Sequence, residues 1–174
     1  MKRLIQILSV FCIGVLLFGC APKEAFSEID IDALELQDKL EAKEDFVLII
    51  EREGCTYCEA LDAYIEQTQD EHAGLVLYHL DSTDFELSRK DEEGMTLVSN
   101  TEEGNILLEM APYFLYTPTL YKVEDGKAVE AGIGYNESTH EVSLWDVDST
   151  IDFDKAKGQD FWQFVQEGQS NQEG

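Results

Sequence analysis

The chain has 174 residues, enough for one domain with its own core. It carries 37 Asp and Glu against 12 Lys and Arg, a formal net charge of −25. That balance leaves no basic patch to hold a phosphate backbone, which excludes nucleic-acid binding, and it repels anionic lipid headgroups and wall polymers.

The first segment reads as a targeting signal. Lys2-Arg3 precede an apolar run from Leu4 to Phe18, about the length of a signal core and short for a membrane span. The run ends in Leu17-Phe18-Gly19-Cys20, which resembles a bacterial lipobox. The resemblance implies a signal peptide over residues 1–19, lipid on Cys20, and a tether over 20–27. It places the rest of the chain on the extracytoplasmic face of a bacterial membrane. Cys12 would leave with the signal, so of four cysteines only Cys55 and Cys58 remain as thiols.

Beyond the tether, Ser27-Glu28-Ile29 reads as a brief edge strand. Asp30 or Asp32 caps a helix through about Lys43, with Ala33, Leu36 and Leu40 on one face. Phe46-Val47-Leu48-Ile49-Ile50 is apolar on both faces, as in a strand covered on both sides. Cys55-Thr56-Tyr57-Cys58 follows and opens a helix whose Leu61, Tyr64 and Ile65 fall at i, i+3, i+4, running to about His72. Leu75 to Leu80 gives a second buried strand, so this half reads β-α-β-α-β, an open α/β sheet.

The stretch from Asp81 to Glu103 is polar and acidic, long for a connection within a domain. It reads as an insertion with a short helix near Asp84 to Lys90, placed at the rim of the cysteine pair as a partner-selecting element. Asn105 to Ala111 resumes a helix that Pro112 stops. Tyr116 to Val123 and Val129 to Ile133 flank Asp125-Gly126 as a β-hairpin. Pro118 opens the first of these strands, where a missing N–H is tolerated. Tyr135 to Thr150 reads as a second irregular, acidic segment. Phe161, Trp162, Phe164 and Val165 form the apolar face of a closing helix, and 168–174 is a polar tail expected to be disordered.

Chemistry concentrates in the Cys55–Cys58 pair. A cysteine in the first turn of a helix meets unpaired N–H groups and the positive end of the dipole, which favour thiolate over thiol. Two cysteines at this spacing can close a small disulfide ring; alternatively the first attacks an outside disulfide and the second resolves the mixed intermediate. Half a zinc site has the same spacing, but no second pair accompanies it. His72, His79 and His140 show no metal-ligand spacing and read as surface or packing residues.

Strand, CxxC at a helix start, a later Thr117-Pro118-Thr119 opening a strand, a hairpin and a terminal helix together resemble the thioredoxin-like superfamily. Within it the chain is most similar to the extracytoplasmic lipoprotein group that includes bacteriocin-transport-accessory-type proteins. The resemblance spans roughly Glu28 to Val165 within a domain over 28–167. It implies an α/β fold of four or five strands in a mixed sheet, helices on both faces, and insertions at about 82–104 and 135–150. It further implies that Pro118 is cis and lies against the dithiol, and that Thr117 lends its backbone N–H and C=O to a bound peptide.

Three positions depart from thioredoxin itself. Gly54 stands where a tryptophan precedes the first cysteine. Ile49 stands where a buried acid serves as proton acceptor, leaving Glu51 and Glu53 as substitutes. Cys58 and Pro118 lie 60 residues apart, farther than in a minimal thioredoxin.

The implied activity is that of a membrane-anchored thiol-disulfide oxidoreductase. Cys55 is the attacking thiolate, Cys58 the resolving thiol, Thr117 and Pro118 shape the substrate groove, and Tyr57 tunes its polarity. It needs no organic or metal cofactor beyond its own disulfide. Its expected partners are exported thiol or disulfide proteins or a membrane redox partner, met by a monomer. The alternative is a non-catalytic accessory or chaperone module for peptide export.

Overall fold

The apolar run that begins at Phe46 forms β2 (Phe46–Glu51), every residue of which is buried. Side chains alternate across a strand, so the run divides between two cores. Phe46, Leu48 and Ile50 enter one core, and Val47 and Ile49 the other. Each fully buried large apolar side chain contributes about 1.5–3 kcal/mol relative to exposure. β2 is therefore the strand that both layers share. The computed structural model describes residues 24–92, 94–113 and 116–170. The signal segment, Cys20 and the tether through residue 23 lie outside the described residues, as do the last four positions.

β1 (Ser27–Asp30) and β3 (Val76–Asp81) run parallel to each other and to β2. On the other side, β2 pairs antiparallel with β6 (Thr119–Glu124), which turns into β7 (Lys127–Asn136). The sheet continues through β8 (Glu141–Trp145) and β9 (Lys157–Asp160) to give the order β1-β3-β2-β6-β7-β8-β9. The fold is thus the expected α/β class, a mixed sheet flanked by helices. Helices α1 (Ala33–Glu41) and α3 (Glu102–Met110) pack on the face of Leu48 and Ile50. Helices α2 (Thr56–Thr68) and α4 (Phe161–Ser170) pack on the face of Val47 and Ile49.

Local signals account for most boundaries. Asp32 caps α1, and its carboxylate accepts from Glu35 N–H while Glu35 accepts from Asp32 N–H, a capping box. Thr101 caps α3 through its hydroxyl. Asp125 and Gly126 both have positive φ, 50° and 72°, the backbone that a two-residue hairpin turn requires. In α4, Phe161, Phe164 and Val165 face the sheet. Gly168 continues that stripe, where a Cβ would collide with Val47 and Lys122.

Four expectations are corrected. The sheet has seven strands rather than four or five. The extra pair arises because the segment expected to be irregular over 135–150 contains β8, whose Val142 is buried and which pairs with both β7 and β9. No helix forms near Asp84 to Lys90. Instead β4 (Ser88–Arg89) pairs with β5 (Leu97–Val98), and Phe85 and Leu97 enter the core, so the segment is part of the packing. Finally, α4 runs to Ser170, so Gly168 to Ser170 belong to a helix rather than to a tail.

Candidate active site around Cys55 and Cys58

Cys55 is the N-cap of α2. It follows β2 by a short turn in which Gly54 has φ of +71°, a conformation that glycine adopts without strain. Cys58 lies in the first turn, and the two are joined as a disulfide. Both are well covered, with Cys55 8% and Cys58 3% exposed. Cys55 is thus the more exposed residue, by a narrow margin.

Two donors converge on Cys55 Sγ. The backbone N–H of Cys58 lies 3.3 Å away and the hydroxyl of Thr117 3.2 Å away. The first is the helix-terminal amide anticipated for a thiolate. The second is not among the expectations, which give Thr117 its backbone groups and a place in the substrate groove. The Thr117–Pro118 peptide is cis, as the resemblance implies. It brings the Thr117 carbonyl oxygen within 3.3 Å of the same sulfur. A disulfide sulfur has no proton to donate, so that approach is a contact here and a hydrogen bond only for a Cys55 thiol.

Beneath the sulfurs lies a group of carboxyls. Glu51 ends β2 two residues after Ile49 and therefore points to the same face, toward α2. It is 5% exposed, whereas Glu53 is exposed and offers only its N–H, to Thr83 Oγ1. Asp62 stands one turn beyond Cys58 on α2, and His79 on β3 pairs in register with Ile49. The His79 ring bridges Asp30 Oδ1 at 2.7 Å and Glu51 Oε2 at 3.5 Å. Those hydrogen bonds, chiefly the one to Glu51, outweigh burial and raise His79 to about 9. Burial, then the charge of Glu51, pushes Asp62 up to about 6. Among the described residues Glu51 Oε1 has no hydrogen-bond partner. A cleft of about 350 Å³ is lined by Glu51, Asp62, His79 and both cysteines, so the carboxyls and the sulfurs open onto one space.

The structure therefore brings together Cys55, Cys58, Thr117 and Pro118, with Tyr57 exposed beside them. Glu51 and Glu53 both line the cleft that reaches the cysteines, Glu51 buried and Glu53 exposed. The expected surface or packing role fits His72, stacked on Trp162, and His140, stacked on Tyr64, but not His79. The signal that could have found it is its spacing from Leu77, which puts both on the α2 face of β3. Cys20 lies outside the described residues. Among those described, no group of three or more His, Cys, Asp or Glu is placed to hold a metal ion.

No family model and no curated protein matches this chain. Solved structures are similar to it, two of which follow. A chain in the crystal structure of a ferredoxin:thioredoxin reductase and thioredoxin f2 complex is 14% identical with a TM-score of 0.44, over 64% of this chain and 86% of that one. Thioredoxin f from spinach chloroplast, in its short form, is 14% identical with a TM-score of 0.40, over 66% of this chain and 85% of that one.

Proposed function

We propose that the protein is a thiol-disulfide oxidoreductase that works through Cys55 and Cys58. The observation that carries this reading is the convergence of Cys58 N–H and the Thr117 hydroxyl on Cys55 Sγ. Donors so placed stabilise a negative charge on that sulfur, which makes it both nucleophile and leaving group. In the reduced protein the Cys55 thiolate attacks one sulfur of a substrate disulfide. A mixed disulfide forms and the other substrate sulfur leaves as a thiolate. Cys58 then gives its proton to the Glu51–Asp62 pair and attacks Cys55 Sγ, and the first substrate sulfur leaves. Two electrons pass to the substrate and the Cys55–Cys58 disulfide is restored; the reverse sequence oxidises a dithiol. Thr117 and Pro118 line the groove beside Cys55, and Tyr57 stands at its edge.

The reading includes a membrane anchor. The apolar run Leu4 to Phe18 and the lipobox-like end at Cys20 support a lipoprotein held on the extracytoplasmic side, acting on exported proteins or a membrane redox partner. Mass spectrometry of the membrane fraction is expected to find the lipid adduct on Cys20; a mature chain beginning elsewhere would refute it. The redox reading is tested by trapping. Cys58→Ser should accumulate mixed disulfides that reductant dissolves, and Cys55→Ser should trap none. Equal trapping by both, or by neither, would refute the assignment and favour a non-catalytic accessory module.

A further inference from the structure

A second cleft begins at Thr117, whose hydroxyl touches Cys55 Sγ. This cleft, of about 690 Å³, runs from Tyr57 and Thr117 along the end of β7 to Glu137, Glu141 and Phe153. Its far wall is built by β8, which extends the sheet beyond β7, and by Phe153. It opens where the pairing of β7 with β8 breaks register, between Ile133 and Asn136. Gly134 sits at that break with φ of +70°, and nothing lies within 4 Å of where a Cβ would be.

Two properties of this wall point to an occupant. Seven large hydrophobic side chains are exposed among the described residues, and three of them, Tyr57, Tyr116 and Phe153, line this one cleft. Tyr116 and Phe153 meet edge to face with ring centroids 5.2 Å apart, so they form one apolar surface. Exposed aromatics gathered at one place mark a contact surface rather than chance exposure. The charged groups of the lining are Glu137 and Glu141 alone, with no Lys, Arg or His among them. An acidic wall repels an acidic segment and attracts a basic one.

We propose that this cleft binds an extended, cationic segment of the polypeptide that carries the target cysteine. A large apolar side chain near that cysteine packs on Tyr57, Tyr116 and Phe153, and Lys or Arg farther along meets Glu137 and Glu141. The inference rests on the redox reading of Cys55 but concerns selection rather than chemistry. It gives β8 and the loop carrying Phe153 a role that sulfur exchange alone does not require.

The test measures binding without sulfur chemistry. The probe is a fluorescent peptide with Ser in place of its Cys, an adjacent Phe, and flanking Lys, titrated into the oxidised protein. A second probe replaces each Lys with Glu. The lysine peptide is expected to bind at least about fivefold tighter, and to weaken as added salt shortens the screening length. The pair Glu137→Gln and Glu141→Gln, and separately Phe153→Ala, should each weaken the lysine peptide. Asp38→Asn with Glu41→Gln is the control for overall charge. These positions end α1, just before the start of β2, whereas the cysteines follow its far end. This control should leave binding unchanged. Equal binding of the two peptides, no binding of either, or equal loss in the control pair would overturn the proposal. Binding with the expected preference but no trapping by Cys58→Ser would instead sink the redox reading. Trapping without charge preference would sink only the cleft assignment.

Discussion

Replacing Thr117 by Val removes one oxygen while keeping a β-branched side chain of nearly the same shape. The hydroxyl donates to Cys55 Sγ at 3.2 Å, and Cys58 N–H, at 3.3 Å, remains. A hydrogen bond to a charged group contributes about 1.5–3 kcal/mol. Sulfur is a large, diffuse acceptor, so the low end applies. At about 1.36 kcal/mol per pKa unit, the Cys55 thiol should titrate about one unit higher in the variant. The same loss destabilises the dithiol state relative to the disulfide, where the bond is to a neutral sulfur and weaker. About 1 kcal/mol therefore separates the two states, and the reduction potential should fall by about 20–30 mV. The titration is cleanest in a Cys58→Ser background, where a single thiol titrates and the residue-58 amide is retained. The rate of alkylation against pH gives the midpoint. Thr117→Ser, which keeps the hydroxyl, should hold the parental midpoint. A Val variant with an unchanged or lower midpoint would refute the claim that this hydroxyl stabilises the thiolate.

Glu51→Gln should slow the resolving step, measured as release of substrate from the mixed disulfide in a single turnover, by about a hundredfold at neutral pH. An unchanged rate would remove Glu51 as the acceptor of the Cys58 proton. His79, raised to about 9 from an unfolded value near 6.5 by Glu51, Asp30 and Glu28, adds stability that is full below about pH 6.5 and is lost as pH rises through 9. Asp62, raised to about 6, favours the fold when protonated, so its contribution is lost as pH rises from its ordinary value through 6. The melting temperature of the oxidised protein should therefore decline from mildly acid to alkaline pH, and His79→Gln should flatten the part between about 6.5 and 9; a parallel curve would contradict the network. Phe85→Ala should cost about 3–5 kcal/mol in urea unfolding, because Phe85 is 7% exposed within the main core; a loss near zero would restore the segment after β3 to a surface insertion.

Where side-chain period and turn chemistry are strong, the fold is readable from the chain. The all-apolar run of β2, the Asp32–Glu35 capping box, Asp125-Gly126 and the cysteines at the head of α2 each act locally, and each lands where its residues require. The segments that escaped depend on partners distant in sequence. β9 is Lys-Gly-Gln-Asp, without one apolar residue, and becomes a strand only by pairing with β8. β4 and β5 are two residues each, and the burial of Phe85 depends on where α3 lies. At the site the cysteines and Thr117–Pro118 were visible as motifs. The Thr117 hydroxyl and the His79 ring were not, because what they touch lies on other elements. Glu51 was legible to a closer reading. The apolar run ends at Ile50, but the alternation that buries Val47 and Ile49 carries one residue farther and puts the carboxyl on their face.

That one-residue extension alters the proton chemistry of the site. In the thioredoxin pattern the acid sits at the position of Ile49, which is fully buried here. Glu51 lies two residues farther along the same face, about 6.6 Å toward the cysteines at the rise of a strand. An acid at the Ile49 position would sit deep under α2, whereas Glu51 borders the cleft that reaches both sulfurs. The displacement also accounts for its neighbours. A carboxyl 5% exposed needs partners, and His79 on the adjoining strand supplies a positive charge. A hydrophobic residue at position 49 and an acid at 51 thus form one arrangement: the core keeps its packing, and the carboxyl stands at the edge of the cleft that both cysteines line.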